Sequence, residues 1–294
     1  MFFSVPATSA NMGPGFDTLG VALSLRNEVD VKRSKFFSVS IRGEGKNSIK
    51  MKSGNIFVNI FNEQYKNITG KKDNFRFEFT NNIPISRGLG SSSATVVTAV
   101  KAAYEMAGIE ISREKALNIA LTYEPHPDNI TPAIHGGFNV AAVEDARVFS
   151  IKKEMPSSLK AVVVIPNVHM STNHSRGSLP KRYTKEEAVF NLSRSSLLTA
   201  LLFAGNYDML RTASKDKFHQ EVRMKNLPEL FEVQRLALES GALMSALSGS
   251  GSSFFSMVYA DDAERLKRVL ENSFGFFRIE IFDFDNDGLI CQKS

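Results

Sequence analysis

A chain of 294 residues is long enough to bury a sizeable core, and the length suits two ordinary domains. Hydrophobic residues at 43% and charged residues at 23% are the balance of a folded globular protein, which excludes the disordered and fibrous classes. The 36 Lys and Arg exceed the 31 Asp and Glu by a net charge of only +5, and they are scattered rather than gathered in a basic stripe with aromatics, so nucleic acid is set aside as a partner.

No apolar run reaches the ~18 residues a membrane span requires, and the opening MFFSVPATSA lacks the basic start and long apolar core of a signal peptide. A cytoplasmic location with no membrane partner is expected. Cys291 stands alone, so neither an intrachain disulfide nor a cysteine metal cluster can form.

In chain order, residues 29–31, 36–42 and 75–79 combine apolar alternation with β-branched and aromatic content between polar turns, which predicts short strands. Residues 92–106 carry apolar positions at three- and four-residue spacing and end before Gly108, the pattern of a helix. Ser112 caps a second predicted helix reaching about Tyr123, and Pro125 and Pro127 predict a loop beyond it. The apolar run 162–165, stopped by Pro166, reads as the first strand of a second half, with the boundary near residue 150. Helical patterns then cover about 185–204, 207–214, 228–240 and 263–273, and strand patterns 254–259 and 277–282. Strands and helices in both halves predict an α+β protein.

The chemistry centres on Pro84, Ile85, Ser86, Arg87, Gly88, Leu89, Gly90, Ser91, Ser92 and Ser93, between a predicted strand and the helix 92–106. Glycines let the backbone approach an anion, and free amides at a helix start favour negative charge. No Lys follows the last glycine, so this is not a Walker A loop. Read alone, the segment equally suits a serine-capped helix after a turn. A second small-residue stretch, Gly249, Ser250 and Gly251 within SALSGSGSS, suits an ordinary turn or a loop packed tightly on the first. A third, PATSANMGPGFD, offers Asn11 and Asp17 to an ammonium or hydroxyl group, although a plain loop between strands would look the same.

PATSANMGPGFD, PISRGLGSSSA, EPHPDNITPAIHGG and SALSGSGSS occur in the order and approximate spacing of the GHMP kinases, which this chain resembles over essentially its whole length. The first segment is most similar to the homoserine kinase branch. The resemblance implies a two-domain α+β fold. Residues 1–150 would form a ribosomal protein S5 domain 2-like half with the phosphate loop, and residues 151–294 a ferredoxin-like half. It implies ATP-dependent phosphorylation of the side-chain hydroxyl of L-homoserine to O-phospho-L-homoserine, a step of threonine biosynthesis, with Mg²⁺ as cofactor and a homodimer as an allowed assembly.

Carried over by position, residues 84–93 with Gly249, Ser250 and Gly251 hold ATP, Asn55 is the candidate at the adenine, and Ser92 and Glu124 hold Mg²⁺. Asn11, Asp17, Thr172, Arg176 and Arg223 face the amino acid. His126 and Asn129 position the hydroxyl, and Asp128 is the candidate base. Taken singly, Glu124 reads as a surface carboxylate, the arginines as exposed ion-pair partners and His126 as a structural hydrogen-bonder. Pro125 stands where the family usually has glycine and Thr131 where alanine is common, without removing a proposed ligand. A sister kinase for another small alcohol and a non-catalytic binding member are the alternatives. The N-terminal motif with both arginines argues against the first, and Ser92 with Glu124 against the second.

Overall fold

The computed structural model describes residues 1–170 and 172–293, the side chains of Lys50 and of residues 172–174 excepted. Two sheets organise the chain. The first takes β1 (Phe2–Ala10), β2 (Leu19–Arg33), β3 (Ser38–Gly43), β4 (Phe75–Asn81), β5 (Phe138–Glu144) and β6 (Arg147–Lys153). The second is antiparallel and takes β7 (Leu159–Ile165), β8 (Met244–Leu247), β9 (Phe254–Tyr259) and β10 (Arg278–Phe282) in the order β10-β7-β9-β8. A last strand, β11 (Ile290–Gln292), returns to pair with β1 in the first sheet.

The chain crosses between sheets after Lys153, so the division expected near residue 150 falls inside β6, whose ladder with β5 runs on to Lys153. This hairpin turns at Asp145 and Ala146, both with positive φ (49° and 58°). Asp-Ala lacks the glycine that marks such turns in a sequence, and Phe149 and Ile151 on its outer face are exposed, which hides the alternation.

Helices α1 (Ile49–Ser53) and α2 (Ile56–Thr69) connect β3 to β4, which are parallel and therefore need a crossover. Phe57, Phe61 and Tyr65 recur every four residues on α2 and meet Phe75, Phe77 and Phe79, which recur every second residue on β4. Ring centroids lie 4.9 Å apart for Phe61 and Phe75 and 5.1 Å for Phe57 and Phe79, both edge-on, the arrangement aromatic quadrupoles prefer.

α3 (Ser91–Met106) and α4 (Arg113–Leu121) follow the expected limits, with Ser112 accepting the Lys115 N–H as N-cap. The segment beyond Tyr123 is only briefly a loop. α5 (Pro127–His135) begins at Pro127, because proline at the first helical position sacrifices no hydrogen bond and already holds a helical φ. Pro132 inside α5 cannot donate to the Asp128 carbonyl, and that carbonyl instead abuts Gly20, where an added Cβ would approach it to 1.9 Å.

In the second half come α6 (Thr172–Gly177), α7 (Lys185–Ala204), α8 (Leu210–Ala213), α9 (Gln220–Met224), α10 (Glu229–Glu239) and α11 (Ala263–Phe274). α7 keeps its expected bounds, with a Thr184–Glu187 capping box at its start and left-handed Gly205 at its end. β7 is buried on both faces, Val162 and Val164 in the core under α10 and α11 and Ala161, Val163 and Ile165 in the larger core shared with the first sheet. A doubly buried strand explains its unbroken apolar run.

Candidate active site

Three small-residue segments far apart in sequence meet at the start of α3. Gly88 and Gly90 have φ of 76° and 69°, and a Cβ on them would lie 2.1 Å from the Ser248 carbonyl oxygen and 1.9 Å from Thr8 Oγ1, so only glycine fits. Ser248 Oγ donates to the Gly88 carbonyl (2.6 Å), the Ser253 N–H to that of Arg87 (2.9 Å), the Gly249 N–H to that of Ala10 (3.1 Å) and the Thr8 N–H to that of Leu89 (3.2 Å). The second loop packs tightly on the first through Gly249 and Gly251, whose backbones lie against Gly88, while Ser250 borders the cleft. Gly251 stands back from the cleft, its N–H closing a turn onto the Ser248 carbonyl (2.9 Å).

Gly90 is the N-cap of α3 and offers no side chain to it, while Ala94 N–H to Gly90 carbonyl (2.8 Å) closes the first turn. The amides of Ser91, Ser92 and Ser93 therefore have no helical acceptor, and together with the macrodipole they suit an anion. Arg87 turns its charge inward, donating to the carbonyls of Ile85 (2.8 Å) and Pro166 (3.0 Å) and to Asn167 Oδ1 (2.5 Å), and so fastens the loop to the end of β7.

The loop joining β1 to β2 forms the opposite wall. Asn11, Met12 and Asp17 hold positive φ (66°, 47° and 57°), a conformation seldom adopted by residues other than glycine. Asn11 secures it at both ends of its amide, donating to the Gly249 carbonyl (3.0 Å) and accepting the Asp17 N–H (3.1 Å). Asp17 accepts two hydrogen bonds from Arg176 (2.6 and 2.8 Å), and this partner holds the Arg176 guanidinium above its ordinary pKa. Arg223 is 3% exposed and donates to the Gly249 carbonyl (3.0 Å). Burial, then the like charge of Arg176, lowers its pKa to about 10, which leaves it cationic at neutral pH. The ring of Phe16 stands 4.9 Å from the Arg176 guanidinium and 5.3 Å from that of Arg223, and its quadrupole softens their repulsion. The side chain of Thr172 lies outside the described residues.

α5 sets its first turn between these walls. Asn129 Oδ1 accepts from Thr8 Oγ1 (2.7 Å), which leaves its NH₂ end as a donor. Asp128 is 4% exposed and its Oδ1 has no protein partner among the described residues. Burial, then the negative charge of Asp17, pushes its carboxyl up to about 7. The Glu124 carboxylate, 3.6 Å from His126 Nδ1, raises the His126 imidazole above its usual range against the opposing effect of burial.

Asn11, Asp17, Asp128, Asn129, Arg176 and Arg223 border one cleft of about 410 Å³, with Ser92 and Glu124 both at its wall. Its far arm is lined by Met51, Phe57, Phe79 and Asn55, the last capping α2 by accepting the Val58 N–H (3.3 Å). Among the described residues no group of three or more His, Cys, Asp or Glu gathers to hold a metal, so a cation here would draw on hydroxyl and carboxylate oxygens. Sequence reasoning passed over Thr8, Phe16, the apolar far arm and His219, which bonds Arg223. Phe16 adjoins Asp17 in GPGFD and could have been found there. Thr8 lies in the same PATSANMGPGFD segment, whereas the apolar arm and His219 carry no local signal.

The N-terminal domain of the GHMP kinases matches residues 55–137 and their C-terminal domain residues 198–275. The chain is 62% identical over 293 residues to a homoserine kinase of a Nitratiruptor species, covering 100% of both chains. It is 58% identical to a homoserine kinase of a Sulfurovum species, covering 99% of this chain and 100% of that one. The crystal structure of homoserine kinase from Cytophaga hutchinsonii superposes with a TM-score of 0.88 at 26% identity, over 99% of this chain and 96% of that one.

Proposed function

The chain belongs to the homoserine kinase family within the GHMP kinases, and from that premise we propose how its own residues phosphorylate homoserine. The reaction transfers the γ-phosphoryl group of ATP to the side-chain hydroxyl of L-homoserine, giving O-phospho-L-homoserine for threonine biosynthesis. The observation that carries the mechanism is that one cleft joins an uncapped helix start to a cluster of one carboxylate and two guanidiniums.

The amides of residues 91–93 and the glycine backbone before them hold the phosphates, with Gly249 and Ser250 bordering the cleft and Gly251 backing the loop at Gly88. The apolar arm beside Asn55 takes the adenine. Arg176 and Arg223 hold the homoserine carboxylate, for which a planar guanidinium offers paired donors. Asp17 and Asn11 define the ammonium end, Asp17 by charge and Asn11 by holding the loop in shape. Asn129 directs its NH₂ group at the reacting hydroxyl with His126 beside it.

Ser92 and Glu124 fit Mg²⁺, since both are hard oxygen donors bordering the phosphate wall and the cation keeps most of its shell for phosphate and water. A cation held by Ser92 and Glu124 would supply charge neutralisation to the phosphates. Phosphoryl transfer has a loose transition state, so alignment of hydroxyl and phosphate supplies most of the acceleration. Asp128, with a proton affinity near neutrality, takes the hydroxyl proton as the new bond forms. We place the reaction in the cytoplasm, where ATP is maintained.

ATP consumption measured with homoserine, threonine, mevalonate and galactose tests this reading. Homoserine should have the highest kcat/KM, and equal or better efficiency with mevalonate or galactose would refute the assigned substrate groups.

A further inference from the structure

Arg223 is the more deeply buried of the two guanidiniums, and something must hold its plane. Its Nη1 lies 3.2 Å from His219 Nδ1 and 3.0 Å from the Gly249 carbonyl oxygen. Arginine has no acceptor, so Nδ1 must be the unprotonated nitrogen of the imidazole. The ring proton then sits on Nε2, which is 2.8 Å from the Gly13 carbonyl oxygen and donates to it.

A closed circuit results. The Asn11 amide donates to Gly249, Arg223 donates to Gly249 and to His219, and His219 donates back to Gly13 in the same loop as Asn11. His219 is 1% exposed, and its ring lies 5.3 Å from that of Phe16. Its backbone is pinned by Asp216, which accepts the N–H groups of His219 and Gln220 at Oδ2 (both 2.8 Å) and the Asn191 amide at Oδ1 (2.7 Å). Burial depresses the His219 imidazole below its usual range, with Asp216 opposing, which agrees with the neutral ring that the geometry requires.

We propose that His219 is a positioning residue for homoserine: by accepting from Arg223 at Nδ1 and donating to Gly13 at Nε2, it locks the guanidinium to the loop that carries Phe16 and Asp17. The proposal rests on Arg223 being a carboxylate ligand. Nη1 is committed to the circuit, Nε is buried without a protein partner among the described residues, and Arg223 lines the cleft, which leaves the Nε–Nη2 edge for the substrate carboxylate.

Three variants separate the two hydrogen bonds. His219→Asn keeps an acceptor near the place of Nδ1, His219→Gln keeps a donor near the place of Nε2, and His219→Phe keeps only the ring. Steady-state KM for homoserine and for ATP is measured for each, beside Arg223→Ala and with thermal unfolding of every variant. His219→Phe should raise the homoserine KM about 10- to 100-fold and leave the ATP KM within about twofold, and Asn should recover more of the loss than Gln. Gln matching or surpassing Asn would overturn the proposal, and this comparison stands even where the Phe variant does not fold. So would a parallel rise of both KM values with a lowered Tm, which marks a purely structural role. A normal homoserine KM in His219→Phe beside a raised one in Arg223→Ala refutes the role of His219 alone. A normal value in both refutes the Arg223 assignment as well.

Discussion

The two ends of the cleft are made of different materials. The proposed phosphate wall is chiefly backbone: glycines at positive φ, three amides at a helix start and hydroxyls from neighbouring residues in the continuous stretch 86–93. The proposed amino-acid wall is side chain: Asp17, Arg176 and Arg223 come from three distant segments, the first two holding each other and the third held by Gly249 and His219. Backbone dipoles are fixed by local conformation and tolerate many surface changes. Side-chain charges depend on burial and on the loops that bring them together, so this wall should be the one that single substitutions dissect cleanly.

The largest expected effect lies at the phosphate wall, where charge is shared during transfer. Glu124→Gln deletes the only carboxylate assigned to Mg²⁺, and single-turnover rates at saturating ATP and Mg²⁺ should fall about 10³-fold or more. A nearly normal rate would move the metal elsewhere.

At the other wall, Arg176→Ala and Arg223→Ala should each raise the homoserine KM roughly 30- to 1,000-fold, the equivalent of about 2 to 4 kcal/mol for a desolvated charge pair. The ATP KM should hardly move. If both constants rose together, the two walls would not be separable.

Threonine probes the distance between the walls without any mutation. Its hydroxyl sits one carbon nearer the backbone, so charges clamped by the arginines and Asp17 would leave it short of the phosphate, and kcat/KM should drop on the order of 100-fold.

The smallest kinetic effect is expected where the walls meet. Asp128→Asn keeps size and hydrogen bonding while removing basicity, and if alignment dominates the single-turnover rate should fall about 10-fold, well short of Glu124→Gln. The wild-type rate should rise with pH through about 7 as Asp128 ionises, and the variant should lose that limb. Stability runs the other way. In the fold Asp128 keeps its proton up to about 7, whereas unfolded it ionises near 3.8, so the native state holds the extra proton between those values. Stability therefore falls as pH rises across that window, by on the order of 4 kcal/mol from this group when the change is complete. The difference in Tm between Asp128→Asn and wild type should grow from pH 4 to pH 7 and level off above it. A constant difference would mean that Asp128 is not desolvated as described.

Local sequence suffices for the mixed α+β class, the helix 185–204 with its caps, and the loop–helix unit at residues 84–106, because each is encoded by neighbours: spacing, glycines and capping residues act within a few positions. Asn11, Asp17 and Ser92 are candidates from their own segments, whereas Glu124, Asp128, Asn129, Arg176 and Arg223 become candidates only through the resemblance of whole motifs, since charge alone does not single out two arginines from the 36 Lys and Arg. The rest waits on tertiary packing. Proline marked a break after Tyr123, but only the packing of α5 among β1, β2 and α3 shows a helix starting on Pro127. The hairpin of β5 and β6 escaped because its turn has no glycine and its outer face is exposed. The circuit joining Asn11, Gly249, Arg223, His219 and Gly13 spans more than 200 positions of chain. Hydrogen bonds act over about 3 Å whatever the separation in sequence, so such a site exists only once the fold has closed.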